Sequence, residues 1–285
     1  MNTIKSFILL AGLTALFMVA GQALGGQQGM IFALVMALVM NFFAYWYSDR
    51  MALAMSRARE VTPQQAPELY RIVERLCGNA GLPMPRIYIT PQQTPNAFAT
   101  GRNPQHAAIA VTEGILKTLS NDELEGVLAH ELGHVKNHDI LISSVAAVMA
   151  GAISYLATMA QWAMLFGGFG RSSDGENSAG GALGALLMMI VAPISAALIQ
   201  MAISRSREFQ ADATGAAICG RPRSLASALQ QLENYNRRLP MQVNPATAQM
   251  YIVNPLAGGS LTSLFSTHPP IEERIRRLLS MEKQR

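Results

Sequence analysis

His130, Glu131 and His134, in the run His130-Glu131-Leu132-Gly133-His134, are the residues whose types and spacing point most directly to chemistry. Residues four apart on an α-helix lie one turn along and about 40° around the axis, so both imidazoles reach a single ion from one helix face. Glu131 flanks that face, placed to hydrogen-bond a water beside the ion and not the ion itself. The set predicts hydrolysis by a metal-activated water with Glu131 as general base. The competing reading is a helix whose solvated polar residues match the pattern by chance.

A catalytic zinc takes three protein ligands and keeps one position for water. Residue 140 is Ile, so there is no third His six residues after His134 and the metzincin arrangement is excluded. His138 is one turn past His134 but two turns from His130, too far along the axis to share an ion with both.

The elements that must hold these groups are legible in outline. Ser120-Asn121-Asp122-Glu123 has the form of a capping box, which starts a helix that runs through Ala129 and beyond. Leu69, Ile72, Val73 and Leu76 recur at helical spacing within Pro67–Ala80. Arg86–Thr90 reads as a strand, and Asn96–Thr100 and Ala107–Thr112 as two more, joined through Gly101–His106. Further helices are expected at about Ser204–Cys219, Ser224–Arg238 and Ile271–Lys283, the last behind Pro269-Pro270. The layout is α+β, a small sheet with helices around it.

Charge distribution adds a membrane. Charged residues are only 14% of the 285, about half the usual share of a soluble protein. Ser6–Ser48, Ile140–Gly170 and Asn177–Ser204 carry none. Each run exceeds the roughly 20 apolar residues that span a bilayer. Gly21–Gly29 reads as a tight turn inside the first, so four transmembrane helices are expected, near 6–24, 29–47, 142–166 and 181–203. Tyr45, Trp46 and Tyr47 close the second as an interfacial aromatic belt would.

Lys5, Arg50, Arg57, Arg59, Arg205 and Arg207 flank the spans on one side, which the positive-inside rule places in the cytoplasm. The expected division is an N-terminal hairpin (1–49), a first polar part (50–139), a second helix pair with an external loop (140–204) and a second polar part (205–285). The two polar parts fold together as one split domain, because each alone could bury only a small core. The net charge of +4 then reflects membrane orientation; no cluster of Lys/Arg with interleaved aromatics suggests nucleic acid. Cys77 and Cys219 stand in no ligand spacing and read as ordinary thiols.

This topology brings Glu208, just past the fourth span, to the depth of His130 and His134, just before the third. Glu208 is therefore the better candidate for a third ligand; the alternative is a surface ion pair with Arg205 or Arg207. Asp212, one turn on, is placed to accept the remaining N–H of a ligand imidazole.

The sequence resembles the HtpX-type bacterial membrane metalloproteases, relatives of the CAAX prenyl endopeptidases. The likeness runs through the N-terminal hairpin, Asn96-Ala97-Phe98-Ala99-Thr100-Gly101, His130–His134 with Asp139, the second helix pair, Glu208–Asp212 and Ser266-Thr267-His268-Pro269-Pro270. It implies that Glu208 is the third ligand of a Zn2+ ion and that the domain is zincin-like, with catalytic helices continuing into the inner (cytoplasmic) membrane. It also implies cleavage of misfolded or damaged membrane proteins in quality control and stress. Asn96-Ala97-Phe98-Ala99 resembles the zincin edge strand that pairs with an extended substrate, although an ordinary sheet strand reads the same way. His268 could touch the oxyanion or substrate, or could serve as a helix-start cap; Tyr251 is a similar candidate. The rival function is a non-proteolytic membrane assembly factor holding a zinc. A transporter is disfavoured because the spans carry no charge near the midplane.

Overall fold

The structure, a computed structural model, describes residues 2–146, 205–238, 251–253 and 269–282. Of the expected spans at 142–166 and 181–203, only residues 142–146 are among them, and these are helical.

The N-terminal helix α1 (Asn2–Met55) is broken at Gly25 and at Gly26, whose φ of 57° and ψ of −147° only glycine adopts without strain. Its two arms run back along each other. The Asn41 amide donates to the Thr14 hydroxyl at 2.8 Å, and the Phe7 and Tyr45 rings stack with centroids 6.3 Å apart. The turn expected within Gly21–Gly29 is therefore present. The second arm, Gly25–Met55, is long and apolar enough to cross a membrane, whereas the apolar part of the first, Leu10–Gln22, is shorter. The helix continues past residue 49, the expected boundary of the hairpin, to Met55.

Among the described residues four strands follow: β1 (Arg59–Glu60), β2 (Arg86–Thr90), β3 (Ala97–Thr100) and β4 (Ala108–Thr112), in the order β1-β2-β4-β3. β2 and β4 are parallel, joined through β3, while β1 and β3 are antiparallel to their neighbours. All five β4 residues are buried because both sheet faces are covered. Ile109 and Val111 enter the main core with α2 (Pro67–Ala80); Ala108 and Ala110 meet Tyr88, Phe98 and Leu53 of α1 on the other side. The three expected strands and α2 lie where their patterns put them. The two-residue β1 and the six-residue α3 (Glu113–Thr118) were not expected from sequence, being too short to show a period.

α4 (Asn121–Lys136) starts on the Ser120/Glu123 capping box, a motif worth about 1 kcal/mol. It packs against α5 (Arg205–Cys219) and α6 (Pro222–Arg238), with α7 (Ile271–Glu282) against α6. Leu124, Val127, Leu128 and Leu132 of α4 share one core with Leu225, Leu229 and Leu232 of α6 and Leu278 of α7. Cys77 lies in this core, its thiol pushed up to about 11 by burial.

α4 and α5 meet backbone to backbone. A Cβ at Gly215 would stand 2.8 Å from the Cα and N of His130, and one at Gly133 would stand 2.8 Å from the Ala211 carbonyl oxygen. Gly215→Ala is expected to push the helices apart at His130 and to cost about 1–3 kcal/mol. A lowered thermal midpoint in detergent, together with weakened metal binding, checks this.

Candidate metal centre

The close α4–α5 crossing brings His130, His134 and Glu208 together, with one ligand atom from each inside a sphere of contacts no longer than 4.8 Å. The two Nε2 atoms are 3.1 Å apart. Glu208 reaches both, Oε2 at 3.7 Å from His130 Nε2 and Oε1 at 3.6 Å from His134 Nε2. His138 is exposed beyond the end of α4, with a φ of 57°, and joins no such cluster among the described residues.

Each imidazole has its other nitrogen against a carboxylate. His130 Nδ1 lies 2.9 Å from Asp212 Oδ1, and His134 Nδ1 lies 3.1 Å from Asp139 Oδ1. A carboxylate beside a ring favours the tautomer with its proton on Nδ1, which would leave the two Nε2 atoms, 3.1 Å apart, free to hold a cation. Burial alone would keep His134 neutral, but Asp139 outweighs it and, without a cation, lifts the ring to about 10.

Two imidazole nitrogens and one carboxylate oxygen are donors that zinc accepts. Charge balance points the same way. Among the described residues, four buried carboxylates (Glu131, Asp139, Glu208, Asp212) lie in or beside the cluster, against two buried guanidiniums (Arg207, Arg274). With neutral imidazoles and all four carboxylates ionised, the surplus is two negative charges, which a divalent cation would cancel. The residues fit the group.

The outer charges come from places the sequence did not advertise. Arg274 of α7, fully buried, donates through Nε and Nη2 to the two Asp212 oxygens at 2.8 and 2.7 Å. Burial would raise the Asp212 carboxyl, yet Arg274 brings it down to about 2. Arg207 was a candidate surface partner for Glu208; it is instead 5% exposed, its charge facing Asp139 and Glu208 from the interior. A basic residue beside an acidic one reads as a solvated pair, and only the α4–α5 packing reveals otherwise.

Glu131 stands beside the cluster, 5% exposed. Burial pushes its carboxyl above the ordinary range, against the pull of His130 and His134. Its Oε2 accepts the Ala99 N–H at 2.8 Å. Among the described residues β3 pairs only with β4, and the Asn96 carbonyl accepts from the Thr112 N–H. Alternation therefore turns Ala97 and Ala99 toward the outer edge. That edge, with Phe98, Glu131, Tyr251 and Ile252, borders a cleft of about 60 Å³ in front of the cluster. Asn96 does not line it; its side-chain oxygen accepts the Ile252 N–H at 3.2 Å and anchors the segment that crosses there. His268 lies outside the described residues.

The sequence pattern of Peptidase family M48 matches residues 63–282. The chain belongs to this family. It is a metallopeptidase, and the resemblance read from the sequence is borne out. It is 62% identical to a protease HtpX homolog of Desulfatibacillum aliphaticivorans, over 99% of this chain and 91% of that one. It is 58% identical to a protease HtpX homolog of Persephonella marina over 100% and 99% of the two chains. The crystal structure of S. mikatae Ste24p superposes with a TM-score of 0.53 at 21% identity, covering 97% of this chain and 65% of that one. At that identity the likeness is one of fold: an M48 peptidase, mostly helical, with a small mixed sheet.

Proposed function

We propose that this M48 peptidase is a zinc endopeptidase of the inner membrane that cuts misfolded or damaged membrane proteins at the cytoplasmic face. The observation that carries the zinc chemistry is the convergence of the His130, His134 and Glu208 donors, with each imidazole backed by a carboxylate. In this reading these three residues hold the ion, and Asp212, Asp139 and Arg274 are positioning residues that fix tautomer and orientation. When bound, zinc supplies a Lewis acid that lowers the pKa of water toward about 7 and polarises a carbonyl.

Glu131 does the proton work. Its raised pKa suits a base that takes a proton from the attacking water and returns it to the leaving amine. The outer edge of Ala97–Ala99, apart from the Ala99 N–H that Glu131 holds, offers main-chain hydrogen bonds to an extended substrate backbone. Such pairing is nearly blind to side chains, which suits many unfolded targets. His268 stays a candidate for the oxyanion or substrate.

The membrane part of the proposal keeps four spans, both termini in the cytoplasm, and a peptidase domain split into 50–139 and 205–285 around the second helix pair. It is supported by the apolar Gly25–Met55 arm and by the charge-free runs.

The purified full chain in detergent is expected to hold about one zinc per molecule and to cleave casein. A chelator should stop cleavage and added zinc should restore it. Stoichiometric zinc without any cleavage would favour the assembly-factor reading instead.

A further inference from the structure

Away from the metal cluster, a cleft of about 610 Å³ opens where α1 leaves its apolar stretch and meets the domain. Phe42, Trp46 and Arg50 line it from α1, Arg86 and Arg102 from the domain. Its volume is in the range of small-molecule sites. Among the described residues, Asp49 is the one acid at its wall, and Arg86 neutralises it at 2.9 Å. Arg102 and Arg50 lie over aromatic rings, 4.9 Å above Trp46 and 5.5 Å above Tyr47. The cleft thus presents surplus positive charge on a rim of half-exposed aromatic rings.

An apolar stripe leads into it. Val35, Val39, Phe42 and Trp46 are each about half exposed, and their spacing puts them on one face of the helix. From Val35 to Trp46 the rise is about 16 Å, close to half of a roughly 30 Å hydrocarbon core. That is the length of one leaflet.

We propose that this cleft binds the phosphate of an anionic phospholipid, with its acyl chains lying along the Val35–Phe42 stripe. Guanidinium forks suit phosphate oxygens, and basic pockets at the cytoplasmic ends of spans suit anionic headgroups. A free phosphate would use the same guanidiniums but would leave the stripe without a role. The inference rests on the proposed membrane placement of α1, not on the peptidase chemistry.

The test titrates the full chain in detergent with phosphatidylglycerol or phosphatidylcholine and reads bound lipid by native mass spectrometry. Arg102→Gln is expected to weaken phosphatidylglycerol binding roughly fivefold and Arg50→Gln/Arg102→Gln roughly thirtyfold. Arg102→Lys should retain most of it, and Arg71→Gln, a charge lost from α2, should change it less than about twofold. Equal losses in the double variant and Arg71→Gln, or none in either, would overturn the proposal. So would displacement of the lipid by millimolar glycerol phosphate, which would mark a free-anion site. An alkaline wash of the membranes separates the two readings: a chain washed off fails the membrane placement, whereas one retained with unaltered lipid binding fails the cleft alone.

Discussion

Glu131→Gln is expected to lower peptide cleavage by roughly a thousandfold or more while leaving zinc content near one per chain. The amide is isosteric with the carboxylate, and its oxygen still accepts the Ala99 N–H that Glu131 accepts at 2.8 Å. The two imidazoles and their carboxylate partners are untouched. What the amide cannot do is take a proton from the attacking water. Glu208→Ala should give the opposite signature, because it removes one of the three donors and with it most of the bound metal. Parallel metal analysis and casein cleavage on the two variants separate the roles. If Glu131→Gln kept more than about a tenth of the activity, proton transfer would have to be assigned elsewhere.

Arg274→Met should be the most destabilising change in the shell around the ligands. Arg274 forms a two-pronged pair with Asp212, and both are almost wholly buried. Removing one partner of a buried pair leaves an uncompensated charge and costs about 3–5 kcal/mol. Arg274→Lys should recover little, since an ammonium does not match both oxygens at once. Zinc affinity should fall as well, by about 10–100-fold, because Asp212 also faces His130.

The pH dependence has a definite sign. Asp212 titrates near 2 in the fold, below the ordinary aspartate value of about 3.9. Its contribution is full above pH 4 and is lost as pH falls toward 2. Arg274→Met should lack that component. Thermal unfolding of metal-free protein across this range measures both effects.

What could be read in the residues was what is local. The capping box at Ser120 marks the start of α4, the spacing of His130 and His134 marks its candidate ligand face, and Gly25-Gly26 sits inside the expected turn of α1. Asp212 could be paired with an imidazole because it lies one turn from Glu208. Arg274 could not, since it joins Asp212 from 62 positions away and α7 looks like any amphipathic surface helix. Arg207 misled for a related reason: charge next to charge says surface, and its burial depends on α5 lying across α4. β1 owes its existence to pairing with β2, which no two-residue window can signal.

The dependence of Asp212 on α7 also bears on when during synthesis the peptidase becomes competent. Among the described elements, α7 is the last that the ribosome makes. Until it docks, Asp212 has no guanidinium to offset its burial, so the support behind His130 is unfinished. A chain ending before Arg274 would therefore carry both histidines yet is expected to hold a metal poorly. On the proposed zinc chemistry, hydrolysis is expected to lag until α7 has docked.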